Sequence, residues 1–475
     1  MTIKFGTDGW RAVIAETFTF ENVRLVSQAV ANYLLDTVQP DSKLEIVIGF
    51  DTRFLSDRFA AEVARVMAAN GITAYLARAD APTPAISYNI VHKKAAGGVM
   101  ITASHNPPRY NGFKVKAAYG GAASKHQTEA IAQRLYAVQE QVGPNLMDFN
   151  KALEQGLIQK FDPAWPYYEH LTTNLINMDI ISNGELDVVV DSMYGAGRGV
   201  LREILSRTRT KVHELHSDMH PGFGGLHPEP LGKNLKELIA VVQHENVHLG
   251  LATDGDADRI GAVDEKGNFV SPHTIMALSV RYLVEKRGMR GAIAKTISST
   301  LMLNRLAKKY DLPLHETPVG FDVIAELMLT DDILLGGEES GGISIKGHIP
   351  EGDGILMGLL LMEIVADAGV PLSELIIDLQ KEVGPAIYER DDIRLKQPIA
   401  KAELVKRLVE TAPEKIAGER VIKVDSYDGV KYHLADDSWL LIRPSGTEPL
   451  LRVYAEAGSA ATVKALLQTG RELAS

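Results

Sequence analysis

The chain has 475 residues, 45% of them hydrophobic, with a formal net charge of -11 and no cysteine. That length outgrows a single core and implies three or four domains, and the acidic balance argues against nucleic acid as a partner. The missing thiol excludes disulfides, thiolate nucleophiles and Cys-ligated zinc, which leaves oxygen or histidine for any metal.

The N-terminus "MTIKFGTDGWRAV" has no apolar core of signal-peptide length. The longest apolar run, "ILMGLLLMEIV", is shorter than the roughly 20 residues a spanning helix needs. The expectation is a cytoplasmic protein with no membrane partner.

In chain order, "LEIVIGF" reads as a strand, residues 56–70 as a helix, "ITAYLA" as a strand, and "AAGGVMITAS" as a strand after a second helix. This alternation of β-branched runs and helical patterns predicts parallel α/β units. The pattern restarts with "LDVVVDSMYGAG" and "VHLGLATDGDADR", and again with "GAIAKTISST" and "DILLGGEESGG". Each unit ends a strand in a loop rich in Gly or Asp, where open parallel sheets place their ligands. Beyond "KEVGPAIYERDDIRLKQP" the order changes to a helix near 400–411, strands near 420–424 and 438–443, the loop "RPSGTEP", the strand "LLRVYAEA" and a closing helix. That stretch predicts a smaller α+β domain. The expected units are 1–150, 151–255, 256–372 and 373–475.

Four loops carry chemistry. In "TDGDADRIG", Asp254, Asp256 and Asp258 recur at every second residue. In an extended loop three carboxylates then face one side and repel unless a hard cation such as Mg²⁺ gathers them; for an isolated D-x-D-x-D a solvated acidic turn weighs equally, and the upstream strand "HLGLA" and Arg259 weigh against it. "RPSGTEP" offers Arg443, Ser445, the Gly446 backbone and Thr447, a phosphate cradle by chemistry and an ordinary turn by composition. "GGEESGG" presents Glu338 and Ser340, groups that read sugars, although by itself it reads better as a surface turn with incidental acids. In "ITASHNPPRYNGFK", Ser104 ends an apolar run, and Pro107 and Pro108 stop a helix from starting there. The G-x-S-x-G elbow of acyl-transfer serines is absent, whereas a phosphoryl acceptor needs only a fixed oxygen, a cation and donors.

Taken together, "FGTDGWR", "TASHNP", "DGDADR", "GEESGG" and "RPSGTEP" occur in order across the whole chain. They resemble the α-D-phosphohexomutase superfamily, which includes phosphoglucomutases and phosphomannomutases. The resemblance implies an α/β protein of four domains around a central cleft, three of similar fold and a C-terminal α+β domain. It implies that Ser104 carries a phosphoryl group and joins Asp254, Asp256 and Asp258 around Mg²⁺. Arg11 and Lys114 would lie near the transferred group, with Lys114 the general acid/base if surrounding positive charge lowers its pKa, and His105 would assist. Arg259 would help hold the phosphoserine or the substrate, Glu338 and Ser340 would bind sugar hydroxyls, and Arg443, Ser445, Gly446 and Thr447 would grip the phosphate that is not reacting. The implied reaction interconverts hexose 1-phosphate and 6-phosphate, with glucose 1,6-bisphosphate as primer and intermediate. The partner would be a small sugar phosphate, the protein a monomer or homodimer, and the C-terminal domain would hinge.

Two positions depart from the pattern. Where many relatives have Lys or His in the sugar-facing loop, Asp322 follows Phe321, and Lys346 or His348 are the substitutes considered. "GEESGG" ends in Gly342 where some phosphomannomutase-like members have His, which leans toward glucose over mannose, and a phosphoglucosamine substrate is less favoured. A phosphatase or mutase with Asp254 as nucleophile would leave "TASHNP" and "RPSGTEP" unexplained, and a non-catalytic phosphosugar binder would need neither Ser104 nor three metal carboxylates.

Overall fold

In the computed structural model, residues 3, 9–38, 44–140, 143–394, 400–444 and 450–474 are described. They form four sheets. The first runs in the order Trp10–Val13, Tyr110–Ala117, Gly97–Ile101, Glu45–Phe50, Thr73–Ala77, Ile158–Phe161. Its last four strands are parallel, while Tyr110–Ala117 returns antiparallel on Gly97–Ile101. The sheets of the first three units are therefore mixed, and the return strand carries the loop that contains Ser104 to the sheet end. The helix Thr83–Lys93 packs closely over this sheet at Gly98, where a Cβ would lie 2.4 Å from Ile90 Cδ1.

The second sheet joins Asp187–Asp191, Lys211–Leu215 and Leu249–Thr253 in parallel, with Ile260–Asp264 and Phe269–Val270 added antiparallel. The third is built from Ala292–Thr296, Leu314–Thr317, Ile333–Gly337 and Ile343–Ile345. The fourth, Ile387–Arg394 through Leu450–Ala457, is antiparallel throughout. These sheets correct the expected boundaries. Ile158–Phe161 belongs to the first sheet, so a division at 150 cuts that unit, and one at 255 separates Leu249–Thr253 from the strand Ile260–Asp264 paired with it. A division at 372 falls on the first residue of the helix Leu372–Val383, whose apolar face packs into the core of the preceding unit.

The second and third units share one core, and the helix Gly354–Ala368 explains why. From Gly354 to Val365 it is buried and, apart from Glu363, which is paired with Arg287 at 2.5 Å, apolar on every side, so it presents no polar face to water and is enclosed between both sheets. Burial of each leucine of the Leu359–Leu361 run, at 0% exposure, contributes about 1.5–3 kcal/mol. Asp353 caps this helix by accepting from Leu356 N at 2.9 Å. The first and last units have cores of their own, and the last meets the third through Trp439, Leu441 and Tyr454 packed on Ile297. Among the described residues no single helix is long and apolar enough to cross a membrane.

Candidate active site

Ser104 follows the strand Gly97–Ile101 and is buried, with a left-handed backbone at φ 51°. Non-glycine residues adopt that conformation only when their surroundings enforce it. Arg53 supplies the enforcement. Its guanidinium donates to the carbonyls of Ser104 at 2.5 Å, Asn106 at 2.6 Å, Pro107 at 2.9 Å and Tyr110 at 2.9 Å, and its Nε to Asp51 at 3.1 Å. Asp51 also accepts from the hydroxyls of Thr102 at 2.6 Å and Ser56 at 2.8 Å, and burial pushes its carboxyl up to about 6 against the pull of Arg53. The Ser104 loop is thus moulded from inside by a buried ion pair. Its prolines contribute a carbonyl acceptor as well as stiffness.

Ser104 Oγ donates to Asp254 Oδ2 at 2.7 Å and lies 3.3 Å from His105 Nδ1. The two loops can meet because residue 255 is glycine: a Cβ there would stand 2.4 Å from the Ser104 carbonyl oxygen. The acidic loop follows the strand Leu249–Thr253, and one oxygen each from Asp254, Asp256 and Asp258 lie within 4.8 Å of one another. Burial, then Asp258 and Asp256, push the Asp254 carboxyl well above its ordinary range. Burial would raise Asp256 too, but Lys114 and the Thr83 hydroxyl hold it below. Asp256 Oδ1 is buried with no hydrogen-bond partner among the described residues. An all-oxygen donor set, mutual repulsion and a free buried lone pair fit a hard divalent cation such as Mg²⁺.

Lys114, on the strand Tyr110–Ala117, places Nζ 3.0 Å from Asp256 Oδ2 and 2.8 Å from Asp258 Oδ2, so two carboxylates adjoin it where surrounding positive charge was expected. Two residues on, and so on the same face of the strand, Lys116 pairs with Glu351 of the third unit, which also accepts from Ser87 at 3.1 Å. Arg11 Nη1 donates to Asn106 Oδ1 at 2.8 Å, which sets it over the serine loop. Burial, then Arg259 and Arg11, push the His105 imidazole well below its ordinary range and leave it neutral at neutral pH. Arg259 N donates to Asp254 Oδ1 at 3.3 Å, and its backbone bridges Gly342 of the sugar loop.

These elements border a cavity of about 450 Å³. Arg11, His105 and Lys114 line it from the first unit, Asp258 and Arg259 from the second, Asp322, Glu338 and Ser340 from the third, and Arg390, Arg443 and Arg452 from the fourth. Glu338 accepts from Gly320 N at 3.0 Å, and burial pushes its carboxyl up to about 7 although Arg259 pulls it down. Arg443 is held by Asp428, Nε to Oδ2 at 2.8 Å. The remaining phosphate-loop residues named from the sequence, Ser445, Gly446 and Thr447, lie outside the described residues.

The considered substitutes for a sugar-facing base are elsewhere. Lys346 is ion-paired with Asp332, and His348 lies 2.9 Å from Asp353 and 3.1 Å from His170, so neither lines the cavity. Sequence reasoning missed Arg53, Asp51, Thr83, Lys116 and Glu351. The one local signal was "FDTRF", a charged pair directly after an apolar strand.

Four family models described as phosphoglucomutase/phosphomannomutase domains match in order: α/β/α domain I over residues 2–142, domain II over 166–267, domain III over 271–383 and the C-terminal domain over 404–472. A phosphoglucomutase/phosphomannomutase of Thermococcus kodakarensis is 32% identical over 99% of this chain and 98% of its own. A phosphoglucosamine mutase of Carboxydothermus hydrogenoformans is 32% identical over 96% of this chain and 95% of its own. Among solved structures, a Thermus thermophilus protein assigned as a phosphomannomutase superposes with a TM-score of 0.86 at 35% identity, over 99% of this chain and 98% of its own.

Proposed function

The chain belongs to the α-D-phosphohexomutase superfamily and is a phosphotransferring mutase, and we propose that it interconverts hexose 1-phosphate and hexose 6-phosphate, glucose first among them, through phosphorylated Ser104 and a bound 1,6-bisphosphate. One observation carries the roles: Ser104 Oγ lies 2.7 Å from Asp254 Oδ2 while Lys114 Nζ lies 3.0 Å from Asp256 Oδ2 and 2.8 Å from Asp258 Oδ2, so the serine and the lysine converge on one acidic loop some 140–150 residues away in the chain.

In the first half-reaction the phosphoserine P–O bond breaks, a P–O bond to the free sugar hydroxyl forms, and that hydroxyl loses its proton. The second half runs the same exchange in reverse from the other end of the sugar. Asp254, Asp256 and Asp258, with a phosphoserine oxygen, would hold Mg²⁺, which supplies charge neutralisation for the transferred group. Arg53 and the left-handed turn fix Ser104 Oγ, so little reorganisation is needed at the moment of transfer. Lys114 Nζ, steadied by Asp256 and Asp258, is the group placed to exchange a proton with the sugar oxygen, and the neutral His105 ring can exchange one with Ser104 Oγ. Glu338 and Ser340 orient the sugar ring. Arg443 grips the distal phosphate with Ser445, Gly446 and Thr447.

A second reading has a specific observation behind it. Asp322 puts an acceptor-only side chain on the cavity wall, which suits the ammonium of a 2-amino sugar as well as a hydroxyl, and several relatives 30–32% identical bear the name phosphoglucosamine mutase. The net charge of -11 supports a small-molecule partner over nucleic acid, and we read the protein as a cytoplasmic monomer or homodimer. Purified protein with Mg²⁺ and trace glucose 1,6-bisphosphate, offered glucose, mannose and glucosamine 1-phosphates in turn, tests both readings. Turnover of none of the three would sink them.

A further inference from the structure

Residues 338 and 339 both line the cavity but bond to different units. Glu338 accepts from Gly320 N and, at 3.4 Å, from the Ser340 hydroxyl. Glu339 turns to the C-terminal sheet, where its Oε1 accepts from Arg390 Nη1 at 2.9 Å and from the Tyr388 hydroxyl at 3.3 Å. Arg390 is aligned in turn by Asp392, Nη2 to Oδ2 at 3.2 Å, on Ile387–Arg394, the first strand after the chain leaves the third unit.

This is not a loose surface pair. The Glu339 and Arg390 side chains are 11% and 21% exposed, and the Tyr388 ring is wedged edge-on against His273 at 4.4 Å. A pair screened from solvent and held by additional donors couples its two elements more strongly than an exposed one. The loop that receives it is closed on itself, with Glu338 N bonded to Gly342 O at 3.0 Å and Gly341 N to Glu338 O at 3.2 Å. A short loop closed in this way moves as a unit, so what anchors Glu339 also anchors Glu338 and Ser340.

We propose that Glu339 is a positioning residue: its ion pair with Arg390 ties the sugar loop to the C-terminal sheet, so that Glu338 and Ser340 are presented to the sugar only while that sheet is docked. The inference rests on the mutase reading. The ion pair couples the grip on the sugar hydroxyls to the grip on the distal phosphate, because the sheet that carries Arg443 also holds the loop of Glu338 and Ser340 through Arg390.

The test uses the full chain and three variants: Glu339→Gln, Arg390→Gln and the double. Each single variant is expected to raise KM for the hexose 1-phosphate about tenfold with kcat changed less than about threefold, and the double no more than either single, because one coupling is broken in all three. Hydrogen exchange of residues 338–342 is expected to quicken in Arg390→Gln, a readout that needs no turnover. Unchanged KM and exchange in the singles would overturn the proposal, as would additive losses in the double, which would mean that Glu339 touches the sugar on its own account. A wild-type chain that turns over no hexose phosphate overturns the mutase reading instead, and the exchange experiment then still decides whether Arg390 holds the loop.

Discussion

Arg53 Nη2 donates to the Ser104 carbonyl oxygen at 2.5 Å. That bond is one of five from a guanidinium that has five N–H groups, so the whole donor capacity of one buried side chain is spent on the serine loop and Asp51. The fork cannot be imitated by an ammonium. Arg53→Lys should lower kcat on the order of 100-fold by letting Ser104 Oγ drift. Arg53→Met, which leaves Asp51 buried without its ion-pair partner, should destabilise the chain by about 3–5 kcal/mol. Steady-state kinetics and urea unfolding measure the two separately.

Ser104→Ala removes the hydroxyl that donates to Asp254 Oδ2 at 2.7 Å. We expect turnover to fall by a factor on the order of 1,000 or more with the unfolding midpoint nearly unchanged. Intact mass of fresh wild-type protein should show one phosphoryl group on a fraction of the chains, absent from the variant; equal turnover by wild type and variant would refute the role of Ser104.

The raised Asp254 carboxyl reflects a site in which burial and two neighbouring carboxylates all disfavour charge. A divalent cation relieves that strain, and ligand linkage converts the relief into stability. Mg²⁺ should therefore raise the melting temperature of the wild-type chain and chelation should abolish turnover. In Asp256→Asn the Mg²⁺-dependent rise should be lost and activity should drop on the order of 100-fold or more.

Lys431 lies buried in the seam between the third and fourth sheets, where Nζ donates to Ile297 O at 2.7 Å and to Glu316 Oε2 at 3.2 Å. Burial, then Lys295, push its ammonium down to about 8 from 10.5. Between those values the unfolded chain keeps this proton and the folded chain has released it, so stability must rise with pH across that window. Denaturation at several pH values should show the wild type gaining on Lys431→Met from pH 8 to 10.5. A flat difference would count against the depressed titration.

The parts of this molecule that were legible in sequence are those whose residues sit within one loop. The Asp254, Asp256 and Asp258 spacing, the Ser104 loop and the alternation of strands and helices are local patterns, and the sheets and family models bear out the α/β class. What escaped is long-range. Arg53 reaches 51 residues along the chain to Ser104, and Thr83 Oγ1 bonds Asp256 Oδ2 at 2.6 Å across 173. The return strand Tyr110–Ala117 looks like any other strand until its antiparallel register is known. The unit boundaries went astray because no composition change marks where a sheet ends, and because the buried, mostly apolar helix Gly354–Ala368 fuses two cores that a linear reading separates. Lys346 and His348 were attractive as charges near the sugar loop, but their ties to Asp332 and Asp353 aim them away from it.

The backbone at Ser104, with φ at 51°, also decides which alcohol can serve as the phosphate carrier. A β-branched residue in that region suffers crowding beyond the roughly 1–2 kcal/mol that any L-residue meets there. Threonine has the same nucleophilic group as serine, yet its extra methyl would either unwind the turn or push the loop off Arg53. The main chain thus selects against the nearest chemical substitute for serine before any question of reactivity arises.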